Sequence, residues 1–340
     1  MSEVGATLWG EMSRSKRHHF VPRAYLERFA EAGQVQVRHR DGNSYRANCV
    51  NVAVECGFYD VRDTSGDKSG AVEELLAEME GAAVEALRSV DETGRPPLEG
   101  TPERSILATY MALQATRTPE ERERILFPRH VAEYVGSREI TEPLMAEYLE
   151  DVHLGFKPSE EEVRAALDFV SVTLRDHALL TPEFAIEMML RSIGSAAPVL
   201  DGLHWTLEST RKGRFITSDV PLVVWRAPSP RDQFEGVGIG NAEEIRFPLD
   251  PTRQLVLTRL KRTPTARVDA DRARACNVSM AEACHRFLVS HPAQSKQMKR
   301  LALTAKRPVL RFNTGPLYEV QSDGSKSYKG EVLHTWVPRR

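Results

Sequence analysis

Apolar residues recur at helical spacing through the middle of the chain, between about residues 70 and 200. Wound as a helix, the first stretch carries on one face Val72, Leu75, Leu76, Met79, Ala83, Leu87 and Val90. Thr followed by Pro occurs at residues 101, 118 and 181, and this pair is a typical helix start because Thr caps amide groups and Pro fits the first turn. The pattern predicts a mainly helical region over residues 70–200.

The hydrophobic period shortens after residue 203, where alternation of apolar and polar residues indicates strands. The segments with this pattern are residues 204–208, 214–217, 222–225, 244–247 and 254–258. Short turn segments link them, so we predict an antiparallel sheet of about five strands over residues 203–260. A helical stripe returns over residues 268–290. A helical region packed on such a sheet places the chain in the α+β class.

The chain shows no internal repeat and no clear linker. We therefore predict a single α+β domain over residues 14–320, preceded by a loose lead-in at residues 1–13 and followed by a polar tail at residues 321–340. Asp41-Gly42 lies between two alternating segments near the start of this domain, and it favours a tight turn in a β-hairpin.

The composition is typical of a globular protein, with 41% hydrophobic residues among 340 and a formal net charge of −2. This charge argues against binding nucleic acid by electrostatics over the whole surface. The four cysteines show no CxxC pairing, which predicts reduced thiols and a cytoplasmic location. No apolar run approaches the roughly 20 residues of a membrane span, and the N-terminus lacks a signal-peptide core, so we expect no membrane association.

Two adjacent histidines precede a proline near the N-terminus, in the segment Arg17-His18-His19-Phe20-Val21-Pro22. A segment that only builds the core does not need this combination, so we interpret it as the stretch that carries a site. Neighbouring side chains of an extended segment point to opposite sides, so His18 and His19 are predicted to diverge. Phe20 shares a side with His18, and we therefore expect His18 to occupy the buried side.

Three polar residues lie on or beside apolar helix faces. Glu80 falls at the edge of the first stripe, and Gln114 and Arg117 fall within the apolar face of the next helix. A buried guanidinium without a partner is strongly unfavourable, so Arg117 is predicted to pair with Glu80 or Asp219. The alternative is an arginine that reaches water at the helix end, since Thr118-Pro119 ends the helix at once.

Asp219, Asn277 and Arg311 complete the candidate site residues. Asp219 follows a predicted strand in a tight turn fixed by Pro221, where a carboxylate could serve chemistry or simply cap the turn. Asn277 lies on the same face of the last helix as its apolar residues. A basic cluster near the C-terminus consists of Lys296, Lys299, Arg300, Lys306, Arg307 and Arg311.

Several segments occur in a characteristic order along the chain: His18-His19-Phe20-Val21-Pro22, Gly57-Phe58-Tyr59, the Glu-rich stretch from Glu73 to Glu80, Leu113-Gln114-Ala115-Thr116-Arg117-Thr118-Pro119, Phe215-Ile216-Thr217-Ser218-Asp219-Val220-Pro221 and Phe247-Pro248-Leu249-Asp250-Pro251. Together they resemble an uncharacterised bacterial family, domain of unknown function 4238. Val220 departs from the family pattern, in which a polar residue is usual. The resemblance implies one family-length unit and a bacterial source, and it brings no established activity.

Two functions are compatible with the candidate residues. The first is a hydrolase acting on phosphodiesters, similar to a nuclease, in which a histidine is the general base or a metal ligand. Glu80 and Asp219 would supply carboxylates to Mg²⁺ or Mn²⁺, Arg117 would hold phosphate, and the substrate would be nucleic acid or another phosphate-bearing ligand. The residues predicted to contact the substrate are Gln114, Asn277 and Arg311.

The alternative is a non-catalytic recognition module. In that case the polar cluster is structural, and the basic C-terminal region binds an acidic partner. The sequence contains no HExxH, P-loop or GxSxG motif, which favours this alternative. The mixture of histidine, carboxylate, arginine and asparagine favours the hydrolase. A cleft shared by one of the histidines, Arg117 and Asp219 would separate the two hypotheses.

Overall fold

The structure is a computed structural model that describes residues 17–56, 61–62, 68–69, 71–176, 182–211, 214–228, 236–304, 309–320 and 326–336. Its α-helices are α1 (Arg23–Glu27), α2 (Ala71–Thr93), α3 (Pro102–Thr116), α4 (Pro119–Val135), α5 (Glu142–Tyr148), α6 (Glu160–Asp176), α7 (Pro182–Asp201), α8 (Ala270–Ala283) and α9 (Ser295–Lys299). Shorter helical turns are Cys49–Asn51, Leu149–Leu154 and Pro292–Gln294. The predicted lead-in, residues 1–13, lies outside the described residues, and so do Gly57-Phe58-Tyr59, Lys306 and Arg307.

The strands of these ranges are β1 (Arg17–His19), β2 (Gln34–His39), β3 (Ser44–Asn48), β4 (Val54–Cys56), β5 (Val61–Arg62), β6 (Lys68–Ser69), β7 (His204–Thr210), β8 (Thr217–Ser218), β9 (Val223–Trp225), β10 (Glu244–Asp250), β11 (Arg253–Thr258), β12 (Thr265–Val268), β13 (Phe287–Ser290), β14 (Arg311–Val320) and β15 (Lys326–Trp336). The hairpin predicted around Asp41-Gly42 is confirmed by the pairing of β2 with β3. Gly42 adopts φ = +91° in this turn, a conformation that favours glycine.

The largest sheet has five strands in the order β12-β7-β11-β10-β9. Within this sheet β7, β11, β10 and β9 pair antiparallel with their neighbours, whereas β12 runs parallel to β7. Both edges of β11 are already paired, so the chain that leaves it must cross to the free edge of β7, where it arrives in the same direction as β7. The α+β class and a sheet of about five strands are confirmed, and the sheet is mixed rather than purely antiparallel.

The strand predicted at residues 214–217 is not part of this sheet. Only Thr217–Ser218 is a strand, and it pairs with β13 at the edge of a second sheet, in the order β3-β2-β13-β8. The backbone just before it bonds elsewhere: the Phe215 amide donates to the Pro251 carbonyl, and the side chain of Asn277 accepts from the Ile216 amide. These bonds replace a strand ladder, although the apolar alternation is typical of one.

The helix predicted over residues 268–290 is too long. α8 ends at Ala283, and Cys284 leaves helical geometry with φ = −56° and ψ = 133°. Phe287–Ser290 then forms β13, which pairs with β2 on one side and β8 on the other. The apolar run in this segment is compatible with a helix face and with a buried strand, so periodicity alone does not separate the two.

The helical middle region is confirmed and packs on one face of the larger sheet. That face contributes to the main core Trp205, Leu207, Ile245, Phe247, Leu255 and Leu257. Buried residues of α2, α3 and α7 belong to the same core, and α3 packs against both of the other helices. Among the helices described, none combines the length and the apolar character that crossing a bilayer requires.

A second apolar cluster joins α4, α5 and α6 to the start of β14, where the ring centroids of Phe127 and Phe312 are 4.7 Å apart. β14 pairs with β15 over most of its length. The polar tail predicted at residues 321–340 thus includes a strand, Lys326–Trp336, and its remaining residues lie outside the described ranges. Leu333 packs against the second cluster, and this contact anchors a strand that is mostly polar in sequence.

The opposite face of the larger sheet is polar and is covered by α8. Arg272 of α8 binds carboxylates on two strands, at 3.0 Å from Glu208 Oε1 and 2.8 Å from Glu244 Oε2. Arg246 lies 2.7 Å from Glu244, and Gln254 donates to Glu208 at 2.6 Å. Pairing of this kind is what buried charges require, and it attaches one face of α8 to the sheet.

We expect this network to make the protein sensitive to acid. Burial alone would raise the pKa of Glu244, but the charges and hydrogen bonds of Arg246 and Arg272 lower it from 4.5 to about 2. A carboxyl group with a lower pKa in the folded state stabilises the fold above its unfolded pKa, and this contribution is lost as the pH falls toward the folded pKa. Between pH 4.5 and about 2, the parent protein should lose up to about 3 kcal/mol of unfolding free energy through Glu244. The variant Glu244→Gln should lack this part of the pH dependence.

Urea unfolding at a series of pH values measures this effect. The matched control is Glu85→Gln, which changes an exposed glutamate on α2 and should leave the acid limb as steep as in the parent. An acid limb of parental steepness in Glu244→Gln would contradict the assignment.

Candidate functional site

The two adjacent histidines lie in β1, which pairs antiparallel with β4. His18 is 6% exposed and Phe20 is 2% exposed, whereas His19 is half-buried. The predicted burial of His18 on the side of Phe20 is confirmed, and the two rings differ in exposure. The two histidines therefore face different groups, although they are neighbours in the chain.

His18 contacts a carboxylate that was not among the predicted site residues. Its Nε2 lies 2.5 Å from Oε1 of Glu73, in the first turn of α2. Glu73 precedes Glu80 by seven residues, which is close to two helical turns, so both glutamates lie on the same side of α2. The helix position that drew attention to Glu80 could therefore also have identified Glu73.

Arg117 ends α3 and has a completely buried side chain. Its Nη1 lies 2.6 Å from Glu80 Oε1, its Nε donates to the Phe20 carbonyl at 2.7 Å, and its Nη2 donates to the His19 carbonyl at 3.4 Å. The predicted carboxylate partner is confirmed, and of the two candidates it is Glu80. The guanidinium thus binds the backbone of the histidine segment and is not available at the surface to hold a phosphate.

His19 lies near this ion pair. Burial lowers the pKa of His19 and the charge of Arg117 adds to that effect, while a hydrogen bond with the Val52 backbone and the charge of Glu80 oppose it. Its buried Nδ1 has no hydrogen-bond partner among the described atoms. The ring therefore favours the neutral form, which is the form that a general base needs.

Gln114 is completely buried in α3. Both polar atoms of its side-chain amide have no hydrogen-bond partner within the described part of the chain. A side chain with no exposed surface is not positioned to contact a substrate, so the structure does not support the predicted role of Gln114.

Asp219 is also completely buried, and its carboxylate is occupied by backbone amides. Oδ1 accepts from the His285 amide at 3.0 Å, and Oδ2 accepts from the Arg286 amide at 2.5 Å. Burial raises the pKa of Asp219, and these hydrogen bonds oppose that change. The guanidinium of Arg286 lies 3.2 Å from Glu55 on β4. It thus links this turn to the strand that pairs with β1. Asp219 therefore does not cap its own turn, as the alternative predicted, but binds the amides of a segment that is distant in the chain.

Asn277 and Arg311 serve two other local structures. Asn277 accepts from the Ile216 amide at 3.1 Å and donates to the Arg214 carbonyl at 2.7 Å, so its amide fastens that segment to α8. Arg311 of β14 binds both carboxylate oxygens of Glu162 on α6, with Nη2 at 2.7 Å from Oε2. The candidate residues therefore do not all meet in one place: His18, His19, Glu80 and Arg117 come together, whereas Asp219, Asn277 and Arg311 have hydrogen-bond partners elsewhere.

A cavity of about 740 Å³ lies between α8 and residues 297–304. Asn277 lines it, together with apolar residues of both walls. The charged residues that line the cavity are Arg40, Arg214, Arg274, Arg300 and Glu282. Arginines therefore outnumber carboxylates along this lining. Apart from the basic cluster, no feature of the sequence indicates this cavity.

The predicted Mg²⁺ or Mn²⁺ would require several oxygen or nitrogen ligands close together. Within the ranges that the structure describes, no three His, Cys, Asp or Glu side chains are grouped so that they could hold a metal ion. The polar contact that the structure shows at β1 is instead that of His18 with Glu73.

We expect Arg117→Ala to lower the unfolding free energy by about 3–5 kcal/mol, because Glu80 and two backbone carbonyls lose their donor in the interior. Arg88→Ala is the matched control, since Arg88 is an exposed helical arginine that pairs with Glu85 at 2.6 Å and should change stability little. Chemical denaturation measures both variants. If the two variants lost the same unfolding free energy, the buried pair would not hold the segment of His19 and Phe20 in place.

We expect Asp219→Ala to lower the unfolding free energy by about 2–5 kcal/mol, since two buried amides lose their acceptors. The control is Asp269→Ala, which removes a single cap bond from Arg272 at the start of α8 and should cost about 1 kcal/mol. If the Asp219 variant were as stable as the control, its carboxylate would again be a candidate for chemistry.

Residues 17–294 match the family described as Protein of unknown function (DUF4238). No curated protein and no solved structure matches the chain significantly. The matched range begins with β1, includes the Arg117–Glu80 pair and α8, and ends just before α9. Because it covers most of the chain, the resemblance seen in the sequence is confirmed, and the chain belongs to this family, DUF4238.

Proposed function

We propose that the chain is a non-catalytic recognition module that binds an anionic partner. The observation that carries the proposal is a contrast between two sets of cations. Arg117 is completely buried and binds Glu80, and Arg311 binds Glu162 through both carboxylate oxygens. The cations of α9 and of the cavity rim, in contrast, are exposed to solvent.

The exposed cations define what we call the basic region, which consists of Arg214, Arg274, Lys296, Lys299 and Arg300. Arg274 lies 3.0 Å from Asp271, but both side chains are more than two-thirds exposed, so this pair restrains the arginine little. Cations held at a surface in this way attract anions and contribute to the rate of association. Since the whole chain has a formal charge of only −2, the attraction is local to this region.

A phosphodiester hydrolase is the second candidate, and one observation favours it. His18 Nε2 and Glu73 Oε1 are 2.5 Å apart, and a carboxylate in this position orients a histidine ring. The side chain of His18 is only 5% exposed, however, and Asp219 is occupied by backbone amides. These two facts make recognition the better supported function.

We expect the full chain to bind fluorescent oligodeoxythymidylate or fluorescent polyglutamate, with an affinity that falls as salt rises, because counterions compete for the cations. Fluorescence anisotropy measures the binding. The double variant Lys296→Glu/Lys299→Glu should bind about tenfold more weakly or worse. A matched control, Arg88→Glu/Arg129→Glu, changes the net charge equally at exposed helical positions elsewhere and should bind like the parent.

The two probes distinguish a phosphate-bearing partner from a carboxylate-bearing one. The proposal would be overturned if neither probe bound. It would also be overturned if the two double variants lost affinity equally. The oligonucleotide should also remain intact during the incubation. Cleavage that disappears in a folded His18→Ala variant would instead establish the hydrolase.

A further inference from the structure

We infer that the cavity between α8 and residues 297–304 binds a small molecule that has an anionic head group and an apolar body. Because this names the ligand of the recognition module, it rests on the proposed function. The head group is a carboxylate or a phosphate, since arginine recognises both through its planar set of donors. The volume of about 740 Å³ lies within the range typical of small-molecule sites.

The cavity has an apolar floor built from core side chains. Ile216, Ala281 and Met298 line it, and each is no more than 3% exposed. α8 contributes small side chains at positions 270, 273 and 281, which leave open space beside the helix. Val278 lies on the same wall, is 43% exposed, and offers apolar surface to the solvent side. An apolar ligand body would remove this surface from water.

A buried cation gives the cavity its charge preference. Arg40 lines the cavity and is 7% exposed. Its guanidinium donates to the carbonyls of Cys284, His285 and Thr304 and to the Thr304 hydroxyl, and no carboxylate of the described residues is within ion-pair distance of it. Neutral carbonyl groups stabilise a guanidinium but do not cancel its charge. The interior of the cavity is therefore positive before any ligand binds.

The rim of the cavity has the same sign. Arg214 and Arg300 are exposed there, and Glu282 is the one carboxylate along the described lining. Burial raises the pKa of Glu282, and the four arginines of the lining outnumber this single carboxylate. An anionic head group at the rim, with its apolar body on the floor, satisfies both parts of the lining.

Isothermal titration of the full chain with decanoate and with decyl phosphate, each below its micelle-forming concentration, tests this inference. Decanol carries the apolar body without the charge, and acetate carries the charge without the body. At least one of the two amphiphiles should bind about tenfold more tightly than decanol and acetate. Binding of decanoate alone or of decyl phosphate alone identifies the head group, and both results support the inference.

Two variants locate the binding. Val278→Trp fills the cavity from an exposed position and should weaken the amphiphile about tenfold, while Val172→Trp, at an exposed position of α6, should bind like the parent. Arg300→Glu should weaken the amphiphile but not decanol. Equal binding of decanol, or parental binding by Val278→Trp, would overturn the inference.

Polyanion binding separates the two proposals. If the oligonucleotide or polyglutamate binds the basic region and no amphiphile binds, the cavity inference fails and the recognition function stands. If neither the polyanions nor the amphiphiles bind, both fail.

Discussion

The guanidinium of Arg117 is stable in the interior only where a carboxylate and carbonyl oxygens surround it, and this requirement fixes three segments at once. Glu80 comes from α2, the carbonyls of His19 and Phe20 come from β1, and Arg117 itself ends α3. His18 adds a second contact to α2 through Glu73. The polar residues that look like a site in the sequence therefore hold the N-terminal strand against the helical layer.

Local periodicity and the cost of an unpaired charge were enough to predict the burial of His18 and the pairing of Arg117, because the position of each residue on its own strand or helix already shows that it faces the interior. The end of α8 was not predictable in this way. Its boundary depends on Asp219, which lies 66 residues before His285 and binds the amides of the following turn. The sheet network around Glu244 was missed for a similar reason, since strand alternation does not tell which polar face a helix will cover.

The candidate residues differ in what they leave open for a ligand. Asp219 and Gln114 have no exposed surface, and the amide of Asn277 is bonded to backbone groups on both sides. Polar type and clustering in sequence suggested shared chemistry, but a residue binds a ligand only if its side chain has exposed surface and a hydrogen-bond position that the protein leaves open. Within the described residues, the cavity beside α8 and the exposed basic region remain open to an outside molecule.

The two faces of α8 contact different parts of the protein. Arg272 binds Glu208 and Glu244 in the ionic network of the sheet, while the positions around Val278 border the cavity. The family match ends at residue 294, so the second wall of the cavity, residues 297–304, lies beyond it. The part of the chain that the family describes therefore contains α8 and its side of the cavity, whereas the facing wall is built by residues outside that part.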